Sequence, residues 1–320
     1  MIKLFTHNDL DGLSCAILAC LAYGVDNVSY ETCKYEDINE KVTAYIETKD
    51  YLNYERCFIT DISLSNELAQ HIHTLNPREL TDGVTLTKHF KLLDHHITAI
   101  HLNEFNWCHV EDTDQEGMKC SGTSLFFNFL KSCQVNSPEL LTKPLVVQYT
   151  EKVRRYDTWD WAKHEDLEAK RLNDLLYILG KERFLTYWID RLQNDQGDFG
   201  FDATQLLLLE LRQNEIDKYI ESREEEIITK NILGYKAGIV FADRFQSELG
   251  NKLSELHPEL DFIAMINVNG GVSCRTSKEN VNLGGDIAKV FGGGGHAKAA
   301  GLPVADEVRE LVINRIFNLN

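Results

Sequence analysis

KLLDHHITAI, residues 91–100, joins an apolar run to one aspartate and two adjacent histidines. The segment from Phe90 to Leu93 reads as a short buried strand, and Asp94, His95 and His96 stand where it ends. Successive side chains on a strand point to opposite faces. Two neighbouring imidazoles can therefore share a site only where the strand has just finished. That is where α/β sheets place ligands, in the crevice beyond the carboxyl ends of the strands. A capping aspartate followed by two surface histidines is the plain alternative, and the rest of the chain has to decide.

The arrangement recurs upstream. IKLFT (2–6) reads as a strand and runs into HNDLDG (7–12), which carries His7, Asp9 and Asp11. ERCFITDIS (55–63) reads as a buried strand with Asp61 at its polar end. Between them GLSCAILACLAYG (12–24) has the pattern of a helix closed by Gly24, VSYETCKY (28–35) of a strand, and DINEKVTAYIETK (37–49) of a helix. SNELAQHIHTL (65–75) adds a helix with Ser65 or Asn66 as its cap. Such alternation predicts an α/β fold with a parallel sheet covered by helices.

From about 121 to 232 the periodicity is mainly helical, through SGTSLFFNFLKSC, PLVVQYTEKVRRYDTWDW and LEAKRLNDLLYIL. After the loop-like NDQGDFGFD (194–202), the segment from Ala203 to Ile232 reads as one long helix. Strands return at YKAGIVFAD, DFIAMINVNG and GVSCRTS, with NGG at 269–271 as a hairpin signal. A helix, the run GGGGHAKAAG (292–301) and a last helix follow. The predicted organisation is a parallel-sheet domain over 1–200, a helical connector over 201–233, and a smaller α/β domain with a mixed sheet over 234–320.

A chain of 320 residues, 43% of them hydrophobic, can bury two cores. No apolar run reaches the length of a membrane span, and MIKLFTHNDLDG lacks the long apolar region of a signal peptide. The eight cysteines are scattered with no C-x-x-C pair, which suits small buried hydrophobes in a reducing compartment. A cytoplasmic location is expected. The formal net charge is −17, and the only basic clusters are small, such as KVRR at 152–155. A protein that tracks a long duplex by neutralising phosphates shows a basic stripe. Here an anionic substrate has to be held locally.

Carboxylates mixed with imidazoles suit Mn²⁺ or a similar ion better than Ca²⁺ or a structural zinc. So many acids at one sheet edge repel one another unless cations join them. Two ions bridged by one carboxylate would relieve this and support in-line attack on phosphorus. Each acid alone has a structural reading, since Asp and Asn favour caps and turns. The joint occurrence at three strand ends favours the metal site.

DxDG after the first strand, a lone Asp after a later one, then Asp-His-His and a downstream Asp in RRYDTWDW together resemble the DHH phosphoesterase superfamily. GGGGH at 292–296, preceded by SCRTSKENVNL, resembles its DHH-associated C-terminal domain, so the resemblance covers nearly the whole chain. It implies that Asp9 and Asp11 bind one metal each, Asp61 bridges both, His95 is a ligand and Asp157 completes the second metal. It implies that His96 lies near the substrate phosphate and that Asp94 stands behind the ligands, where it would orient the ligating imidazoles. Many members have three residues between the first His and Asp-x-Asp. One residue separates His7 from Asp9 here, closer to the D-x-D-x-D-G of RecJ-type exonucleases with His7 in the first acidic place. Asp160, three residues after Asp157, competes for the fourth position.

The glycine run can let backbone N–H groups approach an anion, helped by a following helix N-terminus. Gly293, Gly294, Gly295 and His296 are placed to touch a phosphate or base, and Arg275 to grip a terminal phosphate bidentately. The resulting expectation is a two-domain phosphodiesterase with two divalent ions, Mn²⁺ first. It hydrolyses short RNA to 5′-mononucleotides in a cleft between its halves, as nanoRNases or oligoribonucleases do. The alternative substrates are linear or cyclic dinucleotides, cAMP or 3′-phosphoadenosine 5′-phosphate. A non-catalytic nucleotide-binding module would be marked by lost metal ligands, and the aspartates of the pattern are all present. Neither a membrane nor long duplex nucleic acid is an expected partner, and the oligomeric state stays open.

Overall fold

Ile2–His7 (β1), Val28–Cys33 (β2), Arg56–Thr60 (β3), Phe90–Asp94 (β4) and Cys108–Val110 (β5) form an all-parallel sheet in the order β2-β1-β3-β4-β5. They belong to a computed structural model that describes residues 1–75 and 85–319. The three strands that carry the acids, β1, β3 and β4, are immediate neighbours. At a strand spacing of about 4.8 Å, their carboxyl ends fall within about 10 Å of one another. The register keeps them level: Thr6 pairs with Thr60 and Thr60 with Leu93. The buried Thr60 hydroxyl donates to Thr6 Oγ1 (2.9 Å), and Thr6 Oγ1 donates to Gly12 O (2.8 Å), which ties the two strand ends to the turn above them.

Leu4 and Phe5 point to opposite faces and seed two cores. On the Leu4 face lies Leu10–Tyr23 (α1), every residue of it buried. Its sequence is apolar all round, which only a fully enclosed helix tolerates. It packs against Gly122–Ser132 (α5), Pro144–Asp157 (α6) and Lys181–Asn194 (α9), with Leu167–Leu179 (α8) contributing to the same core. The Phe5 face is covered by Ile38–Glu47 (α2) and Asn66–Thr74 (α3), and by Leu86 of the single turn Leu86–His89 (α4). A second single turn, Asp160–Lys163 (α7), follows α6. These elements make the unit Met1–Leu209.

The unit Glu210–Asn320 holds a six-stranded mixed sheet. Its strands are Ile228–Ile232 (β6), Tyr235–Phe241 (β7), Phe262–Asn267 (β8), Gly271–Arg275 (β9), Gly294–Gly295 (β10) and Ala299–Leu302 (β11), ordered β10-β11-β9-β8-β7-β6. Only the β7–β8 pairing is parallel. One face packs on Gln246–Leu256 (α11) and on Ile216 and Ile220 of Ala203–Glu224 (α10). Asp306–Phe317 (α12) closes the described chain. Among the described residues no helix is long and apolar enough to cross a membrane.

The helix expected to reach Ile232 stops at Glu224, and its last residues are strand β6. Leu233 and Gly234 both have positive φ, 54° and 89°, the backbone of a two-residue hairpin turn whose twist matches paired strands. Ile232 pairs with Tyr235 across it, and Asn231 Oδ1 accepts the Gly234 N–H (3.1 Å). Turn chemistry overrides the helical spacing of Ile228 and Ile232. β5, three residues long, is too short to leave a periodic signal. NGG at 269–271 does form the β8–β9 turn, with Asn267 paired to Gly271.

Gly12 sits in the first turn of α1, where an added Cβ would lie 2.1 Å from the carbonyl oxygen of His7. Gly→Ala in a helix ordinarily stabilises. Here the obstacle is backbone, so Gly12→Ala is expected to lose about 1–3 kcal/mol by overpacking. A urea midpoint raised by the substitution would show that the turn has no such constraint.

Candidate metal centre

Asp9 is the N-cap of α1: its Oδ1 accepts the Gly12 N–H (3.0 Å), while Oδ2 lies 2.7 Å from His7 Nδ1. Burial pushes its carboxyl up, but the His7 bond and charge and the Gly12 N–H outweigh this and hold it below the ordinary range. Asp11, two residues on, is buried and faces the start of α5. Its oxygens accept N–H groups from Gly122 (2.6 Å) and Thr123 (3.0 Å), and the Thr123 hydroxyl donates to its carbonyl (2.7 Å). The carboxyl is thus fixed in position by the first N–H groups of α5. Only glycine fits at 122, because a Cβ there would stand 2.4 Å from Asp61 Cβ.

Asp61 follows β3 with φ 57°, left-handed backbone that Asp and Asn adopt more readily than most residues. It is 1% exposed, its N–H bonds to Leu93 O (3.0 Å), and its Oδ2 is buried with no hydrogen-bond partner. Burial and repulsion from Asp11, Asp9 and Asp157 push its carboxyl well up. Asp157, the last residue of α6, is pushed well up by burial and by the same neighbours, Asp11 and Asp9. α6 is fixed by Tyr149 OH on Ser14 Oγ (2.8 Å) and by buried Arg154, which bonds to Glu151, to Lys119 O and to Asp160. Asp160 is thereby held by Arg154 Nη1 at 2.9 Å. Of Asp157 and Asp160, it is Asp157 whose carboxylate lies within 4 Å of His95.

His95 Nε2 lies 3.2 Å from Asp61 Oδ1, 3.4 Å from Asp157 Oδ2 and 3.9 Å from Asp11 Oδ2. Burial lowers the pKa of its imidazole despite these carboxylates, which favours the neutral form that coordinates metals. Asp94 is fully buried. It accepts the His95 N–H (2.8 Å), His96 Nδ1 (2.7 Å) and the Ser63 hydroxyl. Burial alone would raise its pKa, yet the bonds from His96 and Ser63 hold it low. The same Asp94 bond and charge raise His96 against the effect of burial.

Three overlapping groups of donors result: His7, Asp9 and Asp61; Asp11, His95 and Asp157; and Asp61, Asp94, His95 and His96. Within each, one donor atom per residue lies within 4.8 Å of the others. The residues fit divalent ions. A buried carboxylate oxygen without a partner and acids driven toward neutrality are what a cation relieves, and the oxygen–nitrogen donor set suits Mn²⁺ or its neighbours.

In the second unit, Arg275 ends β9 and donates to Cys274 O (2.9 Å) and Ser247 Oγ (3.0 Å). Among the described residues no carboxylate pairs with it. The glycine run is not a loop before a helix, as expected, but the edge hairpin β10–β11, and α12 begins only at Asp306. A Cβ on Gly293 would lie 2.0 Å from Gly301 O, and one on Gly295 (φ 137°) 2.6 Å from Ala299 O, whereas Gly294 is open. His296 is exposed; its backbone bonds to Ala299 O (2.7 Å) and to the Gly284 N–H (3.1 Å). Lys298 is engaged by Glu279 and by Lys278 O. The residues that sequence reasoning missed are those behind the acids: Ser63, Gly122 and Thr123, and Tyr35 beside His96. SGTS at 121–124 carried a cap signal but nothing to say what it caps.

No family model matches the chain. It is 35% identical over 322 aligned positions to the oligoribonuclease NrnB of Bacillus subtilis, covering 100% of this chain and 77% of that protein. Among solved structures, the DHH domain of a protein assigned to a family of ribosomal proteins aligns with a TM-score of 0.56 at 15% identity, over 100% of this chain and 86% of that one. A RecJ exonuclease bound to manganese aligns with a TM-score of 0.52 at 13% identity, over 98% and 88%. A pGpG-specific phosphodiesterase, PggH of Vibrio cholerae, gives 0.50 at 15%, over 99% and 98%. The solved structures share the fold. The chain belongs to the DHH phosphoesterase superfamily, in the branch of the Bacillus relative.

Because Asn tolerates positive φ, Asp61→Asn keeps the backbone and removes one charge. Adding Mn²⁺ after chelation is expected to raise the melting temperature of the native protein and not that of the variant. A carboxyl pushed up costs stability once ionised, so chelated native protein loses stability as pH rises from about 4. The variant loses less over the same window. Equal Mn²⁺ stabilisation of both proteins would remove Asp61 from the centre.

Proposed function

We propose that the protein is a metal-dependent phosphodiesterase that hydrolyses short RNA to 5′-mononucleotides, with two Mn²⁺ ions at the acidic sheet edge. The observation that carries this reading is His95 within 4 Å of three separate carboxylates, Asp11, Asp61 and Asp157, at the ends of adjoining elements. The relative named an oligoribonuclease supports the substrate class. Asp9 and His7 would hold one ion, Asp11, His95 and Asp157 the other, and Asp61, grouped with His7 and Asp9 and 3.2 Å from His95 Nε2, would serve both. Bound ions of this kind neutralise phosphoryl oxygens and make water a nucleophile at neutral pH.

The chain's own residues do the rest. Asp94 grips His96 through Nδ1, so that Nε2, which lies against the Tyr35 hydroxyl, is the nitrogen that would meet a phosphoryl oxygen of the substrate. Asp11, tied to α5, and Asp61, tied to β4, keep their carboxylates in place without reorganising during the reaction. Residues 1–200 would cut and residues 234–320 would hold the nucleotide. Arg275 grips a terminal phosphate, and His296 with the open Gly294 lies alongside it. Eight free cysteines suit a reducing compartment such as the cytoplasm.

Two results test the reading. Asp61→Asn is expected to lower turnover of an RNA dinucleotide at least about 100-fold, whereas Arg275→Ala and His296→Ala raise KM and leave Mn²⁺ binding intact. Loss of metal from the His296 variant would overturn the division of labour. On labelled RNA of two to about twenty-five nucleotides, kcat/KM is expected to peak at the short end, because extra phosphates meet a chain of net charge −17. The preference narrows as salt screens that repulsion. Efficiency that climbs with length would point to a long-strand nuclease, and activity confined to small nucleotides would select the alternative substrates.

A further inference from the structure

Tyr35 has no place in the reading so far, yet it stands over the acids. It follows β2, the edge strand beyond β1, and its hydroxyl lies 3.1 Å from His96 Nε2 in the segment after β4. That reach crosses three strand spacings, about 14 Å. Its ring centroid is 5.2 Å from that of His7 and 6.0 Å from that of His96. Burial of the hydroxyl raises its pKa, and the charges of Asp61, Asp94, Asp9 and Asp157 add to this. A phenol oxygen accepts as well as donates, so a His96 Nε2–H can bond to it as it would to a phosphoryl oxygen. The residue as a whole is 53% exposed, so the side chain has solvent to move into. Its backbone is fixed by a turn in which Asp37 Oδ1 accepts the Lys34 N–H (2.7 Å).

His96 is thus held at both nitrogens, Nδ1 by Asp94 and Nε2 by Tyr35. Asp94 is fully buried and locked by Ser63 and the His95 N–H, so its grip is permanent. The exposed tyrosine's grip is exchangeable. We propose that the Tyr35 hydroxyl occupies the position of a substrate phosphoryl oxygen at His96 Nε2 and is displaced by the phosphodiester on binding. This rests on His96 as the phosphate contact of the proposed function. Tyr35 is then a positioning residue: it keeps the imidazole aimed into the acidic mouth and competes with anions for its nitrogen, which sets the affinity for phosphate.

Tyr35→Phe removes the competitor and keeps the ring. Calorimetric titration of the Mn²⁺-loaded protein with inorganic phosphate is expected to give a Kd about five-fold lower in the variant, the worth of one hydrogen bond. KM for an RNA dinucleotide falls in the same direction. In a His96→Ala background the substitution is expected to change neither quantity. Weaker or unchanged phosphate binding in Tyr35→Phe overturns the proposal, as does a gain that survives His96→Ala. A native enzyme that cleaves no RNA refutes the proposed function, while the phosphate titration still decides the role of Tyr35.

Discussion

Repulsion among crowded carboxylates is the constraint around which the first unit is built. Asp9, Asp11, Asp61 and Asp157 converge where burial already disfavours charge, and Asp61 and Asp157 are pushed well up as a result. Two devices keep the cluster from collapsing. The start of α5 gives Asp11 two backbone N–H groups, and His7 and His96 relieve Asp9 and Asp94. Asp61 Oδ2 has no hydrogen bond, only His7 Nδ1 at 3.7 Å. The charge left uncompensated there gives the edge its appetite for cations.

Holding the acids close demands that backbone approach backbone. Gly12 lets α1 turn against the carbonyl of His7, and Gly122 lets α5 press against Asp61. Asp61 itself accepts left-handed backbone to turn its carboxylate inward. The hydroxyls of Thr6 and Thr60 brace the strands beneath. These contacts explain why the motif after the first strand ends in glycine. The helix must begin at once, and no side chain fits in the corner.

The second unit solves a different problem. Its glycines serve an edge hairpin, where Gly293 and Gly295 are pressed against β11 and Gly284 against Gly295. His296 and Gly294 are left facing solvent at the sheet edge, and Arg275, two strands from β10, has its charge unpaired among the described residues. Glycine here is a packing requirement first, and exposure of backbone follows from it.

Alternation of strands and helices, the apolar α1, and polar residues at three strand ends were legible in the sequence, because period and burial are local properties of the chain. Asp9, Asp11, Asp61, Asp94, His95 and Asp157 could be picked out for the same reason: each lies at or beside the end of an element. Which strands lie side by side was not local. The order β2-β1-β3-β4-β5 brings Tyr35 from β2 to His96 after β4 and seats α5 against Asp11, contacts between residues 61 and 111 positions apart. That Arg154 engages Asp160 while Asp157 lies 3.4 Å from His95 was likewise beyond the sequence. Spacing along the chain selects the residues that can do the chemistry. Distances between charges, and so their pKa directions, exist only once the sheet has ordered its strands.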